Sequence, residues 1–313
     1  MSLRLALPFN LDVTLCCGQV FLWEARGDWW FGVVGGKALR VRQCVDRLEF
    51  AGVGEEFVKC YFRFGDDLDE IAREVGKDEY IRTALREFWG LRLVRQEPWE
   101  CLASFICATF KSVAAIQQML LQLSLRFGEQ LTFEGQEFHA FPNAARLASA
   151  SLEELKACGL GYRAKYLLET SKMVAAGDFN PETLREMPYA EAKRILLGFP
   201  GVGRKVADCV LLFGFGKLEA FPVDVWMKRV LLRHYGSCFE AGVTKKLAEA
   251  SGLSNSDYEK LNEFARSYFG CCAGYAQEYL YHYERCLRGT TNLKKQRGLN
   301  HKFKVNRHEA EQS

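Results

Sequence analysis

The chain has 313 residues, of which 49% are hydrophobic, and it carries 42 Lys and Arg against 39 Asp and Glu. This length is enough for two or three domains. The chain contains no run of eighteen or more uncharged apolar residues, and "MSLRLALPFN" lacks the basic, long apolar and small-residue sections of a secretory signal. We therefore expect a protein of the cytoplasm or nucleoid, or of the nucleus in a eukaryote, without a membrane partner.

The net charge of +3 is concentrated at one end of the chain. Residues 289–313 contain six Lys and Arg against two Asp and Glu, so the residues before them carry a net charge of −1. The sequence predicts a basic, disordered tail over 289–313. If the rest of the chain binds nucleic acid, local dipoles and a few placed cations must do it.

The twelve cysteines are scattered, and two pairs are adjacent, at positions 16–17 and 271–272. This arrangement suits no disulfide framework and contains no repeated C-x-x-C ligand pattern. The cysteine pattern predicts reduced thiols, and we expect neither a metal nor a cofactor.

Residues 1–52 have the pattern of strands. The stretches "QVFLWEA", "DWWFGVVGGKALRVRQ" and "DRLEFAG" are rich in aromatic and β-branched residues, and Gly35-Gly36 is a hairpin signal. From Glu55 onward apolar residues recur three and four apart, as in "EEFVKCYFRF" and "YIRTALREFWGL", which predicts helices. Strand signals do not return, so the predicted class is α+β, with a small antiparallel β-containing domain ahead of an all-helical body.

Helical segments separated by Gly, Pro, Asn and Ser fill the chain from about Pro98 to Leu287. In "SLEELKACG", Ser151 is a predicted N-cap, Glu154 completes a capping box and Gly159 follows the helix. The predicted domains are 1–95, 96–288 and the tail 289–313.

The stretch "GFPGVGRKVADCV" lies between two helical patterns. It lacks the Lys-Ser/Thr pair of a P-loop, and Val206 replaces the third glycine of a dinucleotide-binding loop. The remaining pattern is helix, tight turn, helix. Gly201, Val202 and Gly203 would offer backbone N–H groups to a nucleic-acid phosphate. A plain helical hairpin, in which the glycines only permit the turn, is the alternative.

Lys205 follows this turn and shares a helix face with Cys209, four residues later. Apolar neighbours predict that desolvation lowers its pKa and leaves a nucleophilic amine. Asp224, in "PVDV", is a predicted N-cap, and its carboxylate could also stabilise a developing cation nearby.

These residues resemble the helix-hairpin-helix DNA glycosylases, and specifically the 8-oxoguanine DNA glycosylases. "GVGRKVADC" and "PVDV" carry the resemblance together with "CGQVFLW", "ECLASFICA", "GLGYRAKYL" and "AGYAQEYLY", in the family's order from Cys17 to Tyr281. The resemblance implies a repair enzyme that cleaves off the damaged base and then nicks the strand. Its partner would be double-stranded DNA containing an oxidised purine, bound by a monomer without cofactor.

The resemblance also implies roles for single residues. Lys205 would attack C1′ of the damaged nucleotide and form a Schiff base, and Asp224 would stabilise the oxocarbenium-like transition state.

For the flipped-out base, the resemblance implies a pocket. Cys209 would form one wall and Tyr281, where the family usually has Phe, would form the other. Gln277 would read the Watson–Crick edge, and the carbonyl of Gly18 would accept the hydrogen that oxidation places on N7.

The chain departs from the family after "SFICA". Phe110 and Lys111 stand where the family has asparagines that fill the space of the flipped base, so Phe110 would act as a wedge. Arg163 remains as a matched candidate for the opposite base, and Trp226 stands where a histidine contacts a phosphate. We therefore expect a weakened preference for cytosine opposite the lesion.

Two other functions stay open. One is a glycosylase for another damaged purine, alkylated or ring-opened, and the other is a non-catalytic helix-hairpin-helix DNA-binding module.

Overall fold

The computed structural model describes residues 1–250 and 252–289, which form an antiparallel sheet followed by a helical body. The sheet has five strands in the order β1-β5-β4-β3-β2. The strands are β1 Ser2–Arg4, β2 Glu24–Arg26, β3 Trp29–Val34, β4 Lys37–Cys44 and β5 Arg47–Ala51. The predicted α+β class is confirmed.

The predicted hairpin joins β3 to β4. Gly35 and Gly36 have φ angles of +55° and +73°, the left-handed values that a two-residue hairpin turn requires. Of the predicted strand "QVFLWEA", only the end is extended, as part of β2. The sequence pattern missed β1, which pairs with β5 through Leu3 and Leu48.

The helices of the described residues largely follow the predicted segments, with short additional ones between them. They are α1 Leu11–Cys16, α2 Glu55–Tyr61, α3 Leu68–Val75, α4 Glu79–Glu87, α5 Pro98–Ala108, α6 Val113–Phe127, α7 Ala144–Ala148, α8 Leu152–Leu155, α9 Arg163–Ala175, α10 Pro181–Glu186, α11 Tyr189–Leu196, α12 Arg204–Cys209, α13 Val225–His234, α14 Ala241–Glu249, α15 Asn255–Phe269 and α16 Ala273–Leu287. Wider π-type turns extend α8 over Lys156–Leu160 and α12 over Val210–Gly214. The capping box of Ser151 and Glu154 is present, and Gly159 has a positive φ.

The expectation that no further strands follow residue 52 is wrong. A second hairpin consists of β6 Gln130–Phe133 and β7 Gln136–His139. Each strand has four residues, too few for alternation to be distinguished from loop sequence, and the turn forces Glu134 to φ +49°. The hairpin packs on the sheet, where Arg40 and Glu134 form an ion pair of 3.0 Å.

Two apolar cores run through the molecule. Trp30, Val41 and Phe50 belong to the core of the sheet, while the apolar faces of α3 and α4 join the core of the helical body. Because α3 and α4 contact α16, the second core reaches back across residue 95. The division into domains 1–95 and 96–288 stays a proposal.

A buried polar network fixes α12 against its neighbours. Asp208, fully buried, accepts hydrogen bonds from the hydroxyls of Tyr189 and Tyr258, both at 2.5 Å, and from Asn262 at 3.0 Å. Lys193 of α11 lies 3.2 Å from the same carboxylate and neutralises it. A buried carboxylate needs such partners, and here they tie α11, α12 and α15 together.

Within the described residues, no helix has both the length and the apolar character needed to cross a membrane. The tail predicted as disordered lies, after Gly289, outside the described residues.

Candidate active site

A cleft of about 1080 Å³ opens between the turn after α5, the α11–α12 hairpin, the start of α13 and the end of α16. Predicted site residues from five separate parts of the chain line it together. They are Gly18, Phe110, Lys111, Gly201, Gly203, Lys205, Asp224 and Tyr281.

Lys205 lies half-buried in the first turn of α12. Its Nζ is 4.9 Å from the centre of the Phe105 ring, and Cys209 follows one turn later on the same face. Asp224 faces the same cleft from the start of α13. An amine and a carboxylate therefore face one cleft, and the buried thiol of Cys209 lies behind the lysine.

The expectation that desolvation lowers the pKa of Lys205 is wrong for the net effect. Burial does lower this pKa, but Cys209 and the carboxylates of Asp224 and Glu278 together raise it above its ordinary value. Burial raises the pKa of the Cys209 thiol to about 12, so near pH 7 this neighbour is neutral and the negative charge beside Lys205 comes from the carboxylates. Lys205 therefore rests as an ammonium ion and must give up a proton before it can attack.

Asp224 has two functions in this geometry. Its Oδ1 accepts the backbone N–H of Met227 at 2.8 Å, which caps α13 as predicted. The pKa of the Asp224 carboxyl is raised above its ordinary value, because burial outweighs Lys205 and the amides of Met227 and Trp226, which lower it. The capping amides hold the carboxylate near the Lys205 ammonium ion.

Gly18 and Tyr281 form the opposite part of the cleft. Gly18 has a φ of +113°, and a Cβ there would lie 3.2 Å from Cε1 of Tyr281. The segment is anchored by Gln19, whose Nε2 donates to Thr14 O at 3.0 Å and whose Oε1 accepts Val94 N–H at 2.8 Å. Gly18 is thus required for both its backbone conformation and its close approach to Tyr281.

Gln277 lies one turn before Tyr281 on α16 and is 5% exposed. Its buried Oε1 finds no hydrogen-bond partner within the described chain. A buried polar atom without a partner is costly and suits a group that binds a ligand. Cys209, the last residue of α12, is 3% exposed and lies in the apolar core of the helical body.

The α11–α12 turn has the predicted helix-hairpin-helix geometry. Gly201 has a φ of +78°, and a Cβ there would lie 2.8 Å from Cβ of Tyr166. Val202 is buried and its N–H already donates to Phe199 O at 3.1 Å, so its proposed phosphate contact is dropped. The amides of Gly201 and Gly203 remain as the proposed phosphate site.

Phe110 projects from the rim of the cleft. Its side chain is 88% exposed, and its backbone has a φ of +53°, which is uncommon for an aromatic residue. Lys111 follows it, exposed. Arg163, by contrast, is buried, and its Nε donates to Thr109 O at 3.0 Å. Arg163 therefore holds the Phe110 turn from below instead of presenting a free guanidinium.

Four further residues near the cleft lining are not indicated by any sequence pattern as site residues: Gln19, Tyr162, Glu278 and Arg285. Tyr162 is 56% exposed beside Arg163, and a large exposed aromatic next to a glycine-rich turn was the available signal. Glu278 and Arg285 are buried in α16, the helix that carries Gln277 and Tyr281. Arg285 follows Tyr281 by one turn and Glu278 by two. Charged residues at these spacings are ordinarily solvent-exposed, so no sequence pattern indicates that these two lie inside.

Trp226, one of the departures from the family, lies between two cations. The guanidinium carbons of Arg229 and Arg288 are each 5.7 Å from its ring. Positive charge at this edge of the cleft is therefore supplied by the neighbours of Trp226.

Within residues 1–250 and 252–289, Glu74, Cys271 and Cys272 form the group whose spacing could suit a metal ion. Hydrogen bonds account for this group, because Cys271 Sγ donates to Glu74 Oε2 at 3.1 Å and the Cys272 amide donates to Oε1 at 3.3 Å. We propose no metal there.

Comparisons with known proteins show the family of the chain. Residues 3–102 match the family model of the 8-oxoguanine DNA glycosylase N-terminal domain. Residues 103–251 match that of the HhH-GPD superfamily base excision DNA repair proteins.

Relatives cover most of the chain. A probable N-glycosylase/DNA lyase of Methanothermobacter thermautotrophicus is 34% identical over 67% of this chain and 68% of its own. The N-glycosylase/DNA lyase OGG1 of Arabidopsis thaliana is 30% identical over 87% of this chain and 76% of its own.

A solved structure of Clostridium acetobutylicum 8-oxoguanine glycosylase/lyase, in complex with double-stranded DNA containing cytosine opposite 8-oxoG, superposes with a TM-score of 0.80. It is 28% identical, and the match covers 92% of this chain and 98% of that one. The resemblance inferred from the motifs is confirmed. The chain belongs to the HhH-GPD superfamily of base excision DNA repair proteins, in the group that carries the N-terminal domain of the 8-oxoguanine DNA glycosylases.

Proposed function

We propose that this chain is a bifunctional DNA glycosylase that excises 8-oxoguanine from duplex DNA and then nicks the strand at the abasic site. The observation that carries the proposal is the meeting of Lys205 and Asp224 in one cleft with Gly18 and Tyr281. A nucleophile and a carboxylate thus share the cleft with the backbone of Gly18 and the ring of Tyr281, which lie side by side and together form the slot where a flat base would stack. The relatives named N-glycosylase/DNA lyase support the same activity.

Base recognition uses the slot beside Gly18. The target nucleotide is flipped out of the duplex, because its C1′ cannot be reached within the stack. Its purine stacks on Tyr281, while the proposed wall residue Cys209 is 3% exposed and lies behind the lining of the cleft. The Gln277 amide, whose Oε1 lacks a partner, pairs with the Watson–Crick edge. The Gly18 carbonyl accepts the N7–H that 8-oxoguanine has and guanine lacks.

Base excision transfers one proton from Lys205 to the departing base. As the bond between C1′ and N9 breaks, its electron pair leaves with the base, and the cationic sugar is stabilised by the Asp224 carboxylate. Because its pKa is raised, Lys205 starts as an ammonium ion, and one of its protons passes to the departing base. The freed amine then bonds to C1′.

Strand cleavage follows from this covalent intermediate. As the bond between C1′ and O4′ breaks, one N–H proton moves to O4′ and a Schiff base forms between Lys205 Nζ and C1′, which acidifies the C2′ hydrogens. Water takes a C2′ proton, its electron pair forms the double bond between C2′ and C3′, and the 3′ phosphate leaves. Hydrolysis of the Schiff base then restores the amine.

DNA enters along the rim of the cleft. The amides of Gly201 and Gly203 hold a phosphate, Phe110 wedges into the duplex, and Lys111 adds positive charge. Arg163 supports the wedge through Thr109. We further propose that the protein acts as a monomer on chromosomal DNA, in the nucleoid or nucleus, without a membrane partner.

A different damaged purine is the second candidate substrate. A DNA-3-methyladenine glycosylase of Bacillus subtilis is 25% identical over 177 residues. A non-catalytic DNA-binding module is disfavoured, since phosphate binding alone requires neither Lys205 nor Asp224.

The test measures released base and cut strand separately. Duplexes carrying 8-oxoguanine, a formamidopyrimidine or 3-methyladenine are incubated with excess enzyme, the free base is identified by mass spectrometry, and nicking is scored on a gel. The proposal predicts 8-oxoguanine release with nicking. Release of 3-methyladenine instead, or nicking without base release, would contradict it.

A further inference from the structure

Arg285 lies beneath the slot, 6% exposed, one turn after Tyr281 on α16. Its Nη1 donates to the carbonyl oxygen of Cys17 at 2.7 Å. The same nitrogen is 2.8 Å from the point where a Cβ of Gly18 would lie, and the guanidinium carbon is 5.1 Å from the centre of the Tyr281 ring. One side chain therefore contacts both residues that flank the slot.

A buried guanidinium is costly unless charge and hydrogen bonds compensate it. Here the charge of Arg285 lowers the pKa of Glu278, which is 2% exposed on the same helix, and the pKa of Asp224. The Cys17 carbonyl lies next in the chain to Gly18, so the hydrogen bond fixes the peptide from which the Gly18 carbonyl extends. Lys205 belongs to α12, on the other wall.

We propose that Arg285 is a positioning residue for base recognition, which sets the distance between the Gly18 carbonyl and the Tyr281 ring and so fixes the slot to one flat damaged purine. This inference rests on the proposed function and adds that base recognition and sugar chemistry depend on different residues. Arg285 acts on the base before the bond breaks, and it has no part in the reaction of Lys205 with an abasic sugar.

The two half-reactions separate this role from general support of the fold. Arg285→Met and Arg285→Lys are assayed in single turnover on a duplex with 8-oxoguanine opposite cytosine, and on a duplex with a preformed abasic site. Arg266→Met is the matched control, because Arg266 also donates to a backbone carbonyl, that of Glu219 at 2.9 Å, and stacks on a tyrosine, Tyr189, at 3.7 Å.

We expect Arg285→Met to excise 8-oxoguanine about 10²-fold more slowly while abasic cleavage changes by less than about threefold. Arg285→Lys keeps a cation but not the fork of donors, and it should recover part of the excision rate. Arg266→Met should change both reactions by the same factor.

Equal loss of both reactions in both Arg285 variants would overturn the inference, because it is the result of a merely structural role. Unchanged excision by Arg285→Met would overturn it as well. If the wild-type enzyme excises another purine instead, the proposed substrate is wrong, and the same ratio measured on that purine decides the role of Arg285. A wild-type enzyme that cleaves abasic DNA and releases no purine contradicts both proposals.

Discussion

Gly18 and Tyr281 are so close that a methyl group on Gly18 would lie 3.2 Å from Cε1 of the tyrosine ring. They are separated by most of the chain, and α16 carries the ring to the loop after α1. The backbone carbonyl and the aromatic face proposed to recognise one base thus meet only in the folded protein.

Gly18→Ala should slow 8-oxoguanine excision by about 10²-fold, since it displaces the base-reading carbonyl and adds a side chain at a φ of +113°. Cleavage of a preformed abasic site should remain, because Lys205 is untouched. Single-turnover rates on the two duplexes check this. Gly27→Ala, at an open turn with φ +61°, controls for backbone strain. Equal rates for Gly18→Ala and wild type would contradict the placement of the slot.

Asp224→Asn should lower the excision rate by about 10²–10³-fold, because it removes the charge that stabilises the cationic sugar. The melting temperature should hardly change, since Asn caps a helix as well as Asp does. Asp224→Ala should add a loss of about 1 kcal/mol in the free energy of unfolding, because the bond to the Met227 amide disappears. A fully active Asp224→Asn enzyme would show that Asp224 only caps α13.

The buried carboxyl of Glu278 should make stability depend on pH. Burial raises its pKa to about 7 from an ordinary 4.5, although Cys17, Arg285 and Lys205 lower it and Asp224 raises it further. Between these two values the folded protein keeps a proton that the unfolded chain has released. The stabilising contribution of Glu278 is therefore complete below about pH 4.5 and is lost as the pH rises through 7.

Glu278→Gln removes this titration. We measure the free energy of unfolding of both proteins in urea. The value for the variant minus that for the wild type should rise by about 3 kcal/mol as the pH increases from about 4.5 to about 8. Glu100, whose pKa is raised to about 8 by burial and by Glu97, is present in both proteins and cancels in the difference. Parallel stability profiles for the two proteins would contradict the prediction.

Phe110 and Lys111 should leave the enzyme with little preference for the base opposite the lesion. Phe110 is 88% exposed and has a ring that can stack but no group that reads hydrogen bonds, and the Arg163 guanidinium is occupied by Thr109. Excision rates opposite the four bases should differ by less than about fivefold, because the bidentate contact worth about 1–3 kcal/mol is absent. Phe110→Ala should slow all four rates alike, by about tenfold. Strong selectivity for cytosine in the wild-type enzyme would contradict this account.

The sequence predicted the helical body well, because long amphipathic segments with caps, such as the one that begins at Ser151, carry a strong periodic signal. It missed the β6–β7 hairpin and β1, since strands of three or four residues show too little alternation. These short strands depend on pairing with distant residues, as Leu3 does with Leu48.

The candidate site shows the same limit. Lys205 and Asp224 could be proposed from local motifs, and the structure brings both to one cleft. Glu278 and Arg285 could not, because only the packing of α16 against the Cys17–Gly18 segment turns two ordinary charged residues inward. The pKa of Lys205 was predicted in the wrong direction, since its carboxylate neighbours come from α13 and α16.

The most direct test of the central claim is borohydride trapping on a duplex with one 8-oxoguanine opposite cytosine, comparing the wild-type protein with Lys205→Gln. The variant keeps the size and polarity of the side chain and removes only the amine. We predict a covalent protein–DNA adduct with the wild-type protein and none with the variant, and peptide mapping should place the DNA on Lys205. An adduct of equal yield with Lys205→Gln, or base release by the wild-type protein without any adduct, would contradict the assignment of Lys205 as the nucleophile.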